Sequence, residues 1–422
     1  LCGPAVPSSW HGTYVSGIIA ATRGNGLGIA GITPFARISN ARVLGRCGGV
    51  TSDLIDAMRW AAGIAVPGVP LNAEPAKVIN LSLGGYSPCG PALQQAVNDV
   101  RARGVVIVAA TGNDAAMGAG APANCSGVIG VTAHTPEGDS ADYANVGTGT
   151  MLSAPGGGRG VLMTGSQLSV LSTVNLGTTT PTGSGYGLKT GTSIAAPHVT
   201  GVAAMLLSEN ASLTPDDIAS LLTQSARPFP AGSWCQSRPG TCGAGMLDAD
   251  SALALLSGQP VVHVAASADT VQPGATLTLY AKGAPGFKVS GATIQWSQTA
   301  GPAVSITPVT SDSSGATAVL PTAGTYSFVA TIRNDAGSVA TDTGTVAATA
   351  PASASPGSSE TSNGSPGGSD SGASPPPAGG GTGGMASQAG GSGGGGAISP
   401  VLALLLLFAG GLGYGLRNSR SA

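Results

Sequence analysis

The stretch Val78–Asn113, VINLSLGGYSPCGPALQQAVNDVRARGVVIVAATGN, decides the fold. VINLSL (78–83) and VVIVAA (105–110) are short apolar runs without polar alternation, the pattern of strands buried on both faces. Between them Leu93, Ala96, Val97 and Val100 recur at helical spacing, and the stripe stops at Gly104. ARVLG (41–45) repeats the strand signal upstream, and Thr51 can cap a helix that carries Leu54, Ile55, Met58 and Ala62 on one face. Strand, helix and strand in this rhythm predict an α/β domain built on a parallel sheet with right-handed crossovers. In such sheets sites gather beyond the carboxyl ends of the strands.

Composition narrows the function classes. Gly (69) and Pro (30) make up nearly a quarter of the 422 residues, and only 9% are charged. A formal charge of −2 provides no basic field for phosphate, which excludes nucleic acid as a partner. The chain opens at Leu1 without an initiator Met or the basic and apolar regions of a signal peptide, so N-terminal truncation is the expectation.

The organisation reads as four parts. Residues 1–258 hold 12 of the 17 Lys and Arg, 13 of the 19 Asp and Glu, and all six cysteines; this is the α/β domain. In 259–348, segments such as TLTLYAK, ATIQWSQ and TYSFVATIRN alternate between Gly, Pro and Asp turns, predicting a small antiparallel β-sandwich. Residues 349–397 are almost wholly Gly, Ser, Pro, Ala and Thr and cannot bury enough surface to offset their ordering entropy, so they read as a disordered linker. Residues 398–422 contain the uncharged run ISPVLALLLLFAGGLGYGL followed by Arg417 and Arg420, which predicts one transmembrane helix with a cytoplasmic C-terminus.

Three segments carry candidate chemistry. His11-Gly12-Thr13 opens a helical run through Val15, Ile18 and Ile19; Ala109–Asn113 ends an apolar strand in a Gly-Asn turn; Gly191–His198 leads into the apolar helix VTGVAAMLL. Ser193 would sit at a helix N-terminus, where free N–H groups favour developing negative charge. Pro197 is tolerated only near the start of that helix, which places the start close to Ser193. A hydroxyl needs a base, and imidazole is matched to proton transfer near neutral pH. The Asn113 amide at a strand end can donate to an oxyanion.

Together, His-Gly-Thr-x-Val-x-Gly, the strand-end Gly-Asn and Gly-Thr-Ser-x-Ala-x-Pro-His-Val resemble, in this order, the subtilisin-like serine proteases over about residues 1–255. The resemblance implies that His11 is the general base, Ser193 the nucleophile and Asn113 the oxyanion-hole side chain, whose counterpart in a subtilisin contributes roughly 3 kcal/mol. It implies that Ser82, Leu83, Gly84 and Gly85 pair with an extended substrate as an added strand. Ala110, Thr111 and Gly112, with Ala154-Pro155-Gly156, would border the pocket for the side chain before the cut bond, and Thr192 would be a further substrate-binding residue.

The family's triad also needs an Asp upstream of the His. Leu1–Trp10 contain no Asp or Glu, and Asp53, Asp56, Asp114, Asp139 and Asp142 all follow His11. The expectation is that the triad Asp and its strand are absent from the chain as given, leaving it poorly stable and, through the wrong imidazole tautomer, about 10⁴-fold slower. His198, one turn beyond Ser193, reads as structural, and His134 and His263 carry no motif.

The six cysteines form no Cys-x-x-Cys pair, and with a membrane tail they read as disulfides of an oxidising compartment, with fifteen pairings open. Sequence order and family habit favour Cys2–Cys47, Cys89–Cys125 and Cys235–Cys242. Structural Ca²⁺ is common in the family, although no ligand set is legible. The Gly-rich GGSGGGGAISP, hydrophobic run and terminal arginines resemble a GlyGly-CTERM sorting tail of Gram-negative bacteria, which implies a membrane-embedded sorting protease as partner. The sandwich resembles PKD-type or Ig-like modules around Trp296 and Gly324–Phe328. The function this implies is a secreted or surface-anchored serine endopeptidase acting on proteins or peptides, with broad preference for a bulky apolar residue before the cut. The alternative is a catalytically inactive surface protein that binds proteins or acts as an adhesin.

Overall fold

The computed structural model describes residues 7–45, 48–162, 167–311, 313–350 and the backbone of 403–408. The order begins α1 (His11–Ala20), β1 (Arg37–Arg42), α2 (Thr51–Ala61), β2 (Val78–Leu81), α3 (Pro91–Arg101), β3 (Val106–Ala110), β4 (Ile129–His134) and β5 (Leu152–Pro155). A hairpin, β6 (Val170–Asn175) and β7 (Ser184–Lys189), then leads into α4 (Thr192–Glu209), α5 (Pro215–Ser225) and α6 (Ala249–Leu256). β2, β3, β4 and β5 pair in parallel in chain order.

Successive side chains of a strand point to opposite faces, and both faces are covered. Val78, Val106, Val108 and Leu152 join α4, α5 and α6 in one core; Ile79, Leu81, Ile107 and Ala109 join α2 and α3 in the other. This burial makes VINL and VIVAA continuous apolar runs. The α3 stripe Leu93, Ala96, Val97 and Val100 is fully buried, and the chain turns away at Gly104 with φ +75°. Two local expectations shift. β1 runs over 37–42, because the chain leaves the sheet at Val43 for a turn between Gly45 and Gly48. Val50 precedes α2, and Thr51, its first residue, makes no capping hydrogen bond.

Two four-stranded sheets follow, formed by β8 (Val261–Ala266), β9 (Thr270–Val271), β10 (Thr276–Ala284), β11 (Ala292–Ala300), β12 (Ile306–Pro308), β13 (Gly315–Val319), β14 (Gly324–Asn334) and β15 (Val339–Ala348). Their orders are β12-β13-β10-β8 and β11-β14-β15-β9, antiparallel except for the short β9–β15 pair. Leu277, Leu279, Tyr326 and Phe328 share one core inside them.

The C-terminal run departs from expectation. Its described part is β16 (Ala403–Phe408), lying between β1 and β2 and antiparallel to both. Among the described residues no helix is long and apolar enough to cross a membrane. A short run of leucines is buried equally well by a sheet or by lipid, and hydropathy does not separate the two. The linker from 351, the rest of the tail, and Cys2 and Cys47 lie outside the described residues. Cys89–Cys125 and Cys235–Cys242 are bridged, with Cα–Cα distances of 5.2 and 5.7 Å.

The strands after α6 are fastened to the helices before them. Val261 and Ala284 belong to the α4–α6 core. Lys282 Nζ donates to the carbonyls of Thr223, Ala226 and Ala244 at 2.8, 2.7 and 2.8 Å, so one ammonium caps the C-terminal end of α5 and a neighbouring loop. His263 Nε2 donates to the Ser225 carbonyl at 3.0 Å. Lys282→Met would strand three carbonyls at once, and we expect it to lower unfolding free energy by about 3 kcal/mol in chemical denaturation. A loss well under 1 kcal/mol would show that the junction does not depend on this cation.

Candidate active site

α1 places its first residue, His11, toward the first turn of α4, and His11 Nε2 lies 3.0 Å from Ser193 Oγ. The hairpin holds α1 there. Tyr14 donates its hydroxyl to the Val170 carbonyl and accepts the Lys189 N–H at 3.1 Å. Ser172 Oγ and Thr173 Oγ1 donate to the carbonyls of Tyr14 and Thr13 at 2.7 and 2.9 Å. Gly17 is required for this approach, since a Cβ there would sit 2.3 Å from Thr173 Oγ1. Lys189 Nζ donates to the Ser9 carbonyl at 2.6 Å, and its charge lies 5.5 Å from the Tyr14 ring.

The turn at Gly191–Ser193 is equally defined. Gly191 has φ +146°, a conformation that side-chain-bearing residues rarely adopt, and a Cβ there would lie 3.1 Å from Ser193 Oγ, 3.6 Å from Asn113 Nδ2 and 3.7 Å from Ser193 N. Three polar atoms thus surround a space that only glycine leaves open. Asn113 Oδ1 accepts the Thr192 N–H at 2.8 Å and lies 2.9 Å from Thr192 Oγ1, which leaves the amide N–H₂ to face that space. Such donors stabilise a tetrahedral oxyanion, and Ser193 beside an imidazole is the arrangement for acyl transfer.

His11 Nδ1 is buried with no hydrogen-bond partner among the described residues. If Nε2 accepts from Ser193, the neutral ring must carry its proton on Nδ1, where it is unsatisfied at a cost of about 1–3 kcal/mol. The favoured tautomer is therefore the opposite one, which cannot accept the Ser193 proton. A cavity of about 820 Å³ opens beside His11 between α1, β1 and the hairpin, and among the described residues no carboxylate lines it. Among the described residues no three His, Cys, Asp or Glu side chains converge on a common point, so the Ca²⁺ implied by the resemblance finds no acidic cage there.

The residues expected to contact substrate divide. Leu83 is half-buried, Gly84 and Gly85 are exposed, and Gly85 donates its N–H to Ala121 at 3.0 Å. The Cys89–Cys125 bridge clips the same two loops together. Ala110, Thr111, Thr192 and Ser82 are buried. Thr111 Oγ1 donates to the Asn145 carbonyl and Ser82 Oγ to the Ser193 carbonyl, so these side chains support the site from beneath.

Two supporting residues carry no sequence signal. The Tyr143 hydroxyl accepts the Gly191 N–H at 2.9 Å and lies 2.8 and 2.9 Å from the Gly156 and Gly157 carbonyls; burial pushes its pKa up. Asn145 Oδ1 accepts from the backbone of Asp114 and Ala116, shaping the turn after Asn113. His198 donates Nδ1 to the Ile194 carbonyl of its own helix, and His134 donates Nδ1 to the Thr135 carbonyl. Burial lowers the pKa of both.

The family model described as "Subtilase family" matches residues 4–254. An extracellular protease of Xanthomonas campestris pv. campestris is 46% identical over 257 residues, covering 60% of this chain and 42% of that protein. An extracellular basic protease of Dichelobacter nodosus is 40% identical over 227 residues, covering 53% and 36%. A solved protease of Pseudoalteromonas arctica PAMC 21717 superposes with TM-score 0.55 at 44% identity, covering 60% of this chain and 72% of that one. The chain thus spans about two fifths of the length of these two curated relatives.

Burial, followed by the charge of Lys189, lowers the His11 pKa to about 4. The ring therefore stays neutral below the ordinary histidine range and is protonated only as pH falls through about 4. In Lys189→Met burial acts alone, and an NMR titration of the His11 ring should show the midpoint rising toward 6.5. An unmoved midpoint would remove Lys189 from this role.

Proposed function

Since this chain belongs to the subtilase family, we propose that it is a secreted serine endopeptidase that hydrolyses peptide bonds of proteins or peptides. The observation that carries the reading is the 3.0 Å contact of His11 Nε2 with Ser193 Oγ, with Asn113 Nδ2 and Ser193 N facing the space at Gly191. Ser193 Oγ attacks the peptide carbonyl; His11 takes its proton and returns it to the leaving amine. The oxyanion is received by Asn113 Nδ2–H and the Ser193 N–H at the N-terminus of α4. The backbone of Leu83–Gly85 takes the substrate as an added strand. Secretion rests on the names of the relatives and on the two bridged cysteine pairs.

The triad carboxylate belongs at His11 Nδ1, where the described residues offer no acceptor. With Nδ1 unpartnered, the enzyme turns over slowly, about 10⁴-fold below a subtilase with a complete triad. The same observation favours, as the second reading, a protein that binds peptides without cleaving them.

A fluorophosphonate probe separates the two. We expect slow labelling of the folded chain confined to Ser193 and lost in Ser193→Ala. Gly191→Ala, which fills the space for the oxyanion, should slow labelling at least about 100-fold. A folded chain that leaves the probe unreacted would overturn the peptidase reading in favour of binding.

A further inference from the structure

Pro197 is the sixth residue of α4, inside the helix rather than in its first turn. In a regular helix the N–H of residue 197 would bond to the carbonyl of residue 193. Proline has no N–H, so the carbonyl of the nucleophile's own residue loses its helical partner, and a buried carbonyl without a partner is costly. Ser82, at the end of β2, fills the vacancy: its hydroxyl donates to the Ser193 carbonyl at 2.7 Å. That hydroxyl is itself held, accepting from Asn80 Nδ2 at 2.9 Å. Asn80 Oδ1 in turn lies 2.8 Å from Thr200 Oγ1, which is also 3.1 Å from the Ala196 carbonyl. Asn80 and Thr200 are fully buried and Ser82 is 2% exposed. Buried polar groups in such a chain are costly to disturb.

We propose that Ser82 is a positioning residue whose hydroxyl replaces the hydrogen bond Pro197 cannot give, so that the Asn80–Thr200 pair of the sheet and helix fixes the backbone of Ser193. The inference rests on Ser193 being the nucleophile only for its catalytic consequence. Fixing the Ser193 carbonyl fixes the residue's backbone angles, and through them the direction of Oγ toward His11 and of N–H toward the oxyanion space. The Ser82 side chain then acts on the enzyme rather than on the substrate. Displacement of a reacting group by about 1 Å can cost on the order of 100-fold.

The test is a double-mutant cycle in the full chain: Ser82→Ala, Pro197→Ala and the pair together. Pro197→Ala restores the N–H that would serve the Ser193 carbonyl, so it should make the hydroxyl dispensable. We expect Ser82→Ala alone to slow the covalent step of fluorophosphonate labelling by about 10- to 100-fold, with the reversible binding step within about threefold. In the Pro197→Ala background the same change should alter labelling by less than about threefold. Equal losses in both backgrounds, or a change confined to the binding step, would overturn the proposal. The same cycle read by chemical denaturation must also be non-additive, which keeps the test independent of peptidase activity; additive effects would sink the proposal even with labelling intact. Should Ser82→Ala not fold, Thr200→Val loosens the far end of the chain and should give a smaller loss that Pro197→Ala likewise suppresses.

Discussion

At Gly191 the chain leaves the hairpin and enters α4, and that turn is the constraint on which the rest of the site depends. Its backbone conformation, φ +146°, excludes a side chain, and the position of a Cβ there is ringed by Ser193 Oγ, Ser193 N and Asn113 Nδ2. Every other support bears on the same few atoms. Tyr143 accepts the Gly191 N–H, Thr192 fixes the Asn113 amide, and Ser82 holds the Ser193 carbonyl from the end of β2. A nucleophile at a helix start gains free N–H groups and a favourable dipole but lacks part of the helical ladder. Side chains from the segments just after β2 and β3 and from the Tyr143 loop supply what the ladder omits.

Much of this was legible in the sequence where the signal is local. VINL and VIVAA read as strands because both of their faces are covered, and the α3 stripe read as a helix because one face is. His11, Asn113 and Ser193 stood out through short motifs, and the structure brings His11 and Ser193 into contact with Asn113 beside them. Tyr143 and Asn145 stayed silent because their roles exist only once loops distant in sequence meet. The hairpin was silent too: its strands carry exposed Leu171, Leu188 and Tyr186 on one face, which mimics no standard alternation. Pro197 places the helix start close to Ser193, and α4 does begin at Thr192; the proline itself lies beyond the first turn, and its cost is met by a hydroxyl from another element.

The C-terminal strands have a place that composition could not supply. A spacer would need only a tether, but β8 and β10 contribute Val261 and Ala284 to the core of the helices before them, and Lys282 binds three of those helices' and loops' carbonyls. An ammonium with three fixed acceptors sets orientation as well as attachment. The β-sheets therefore brace α5 and α6, and α6 stands against α4 through the shared core.

The hairpin of β6 and β7 supports α1 at His11 and leads into the turn that carries Ser193. Its last residue, Lys189, is four positions from Ser193 and grips the Ser9 carbonyl just ahead of His11, while Ser172 and Thr173 hold the first turn of α1. His11 and Ser193 thus share part of their support in one two-stranded hairpin. Two residues 182 positions apart in the chain are thereby tied to one another through a single short hairpin.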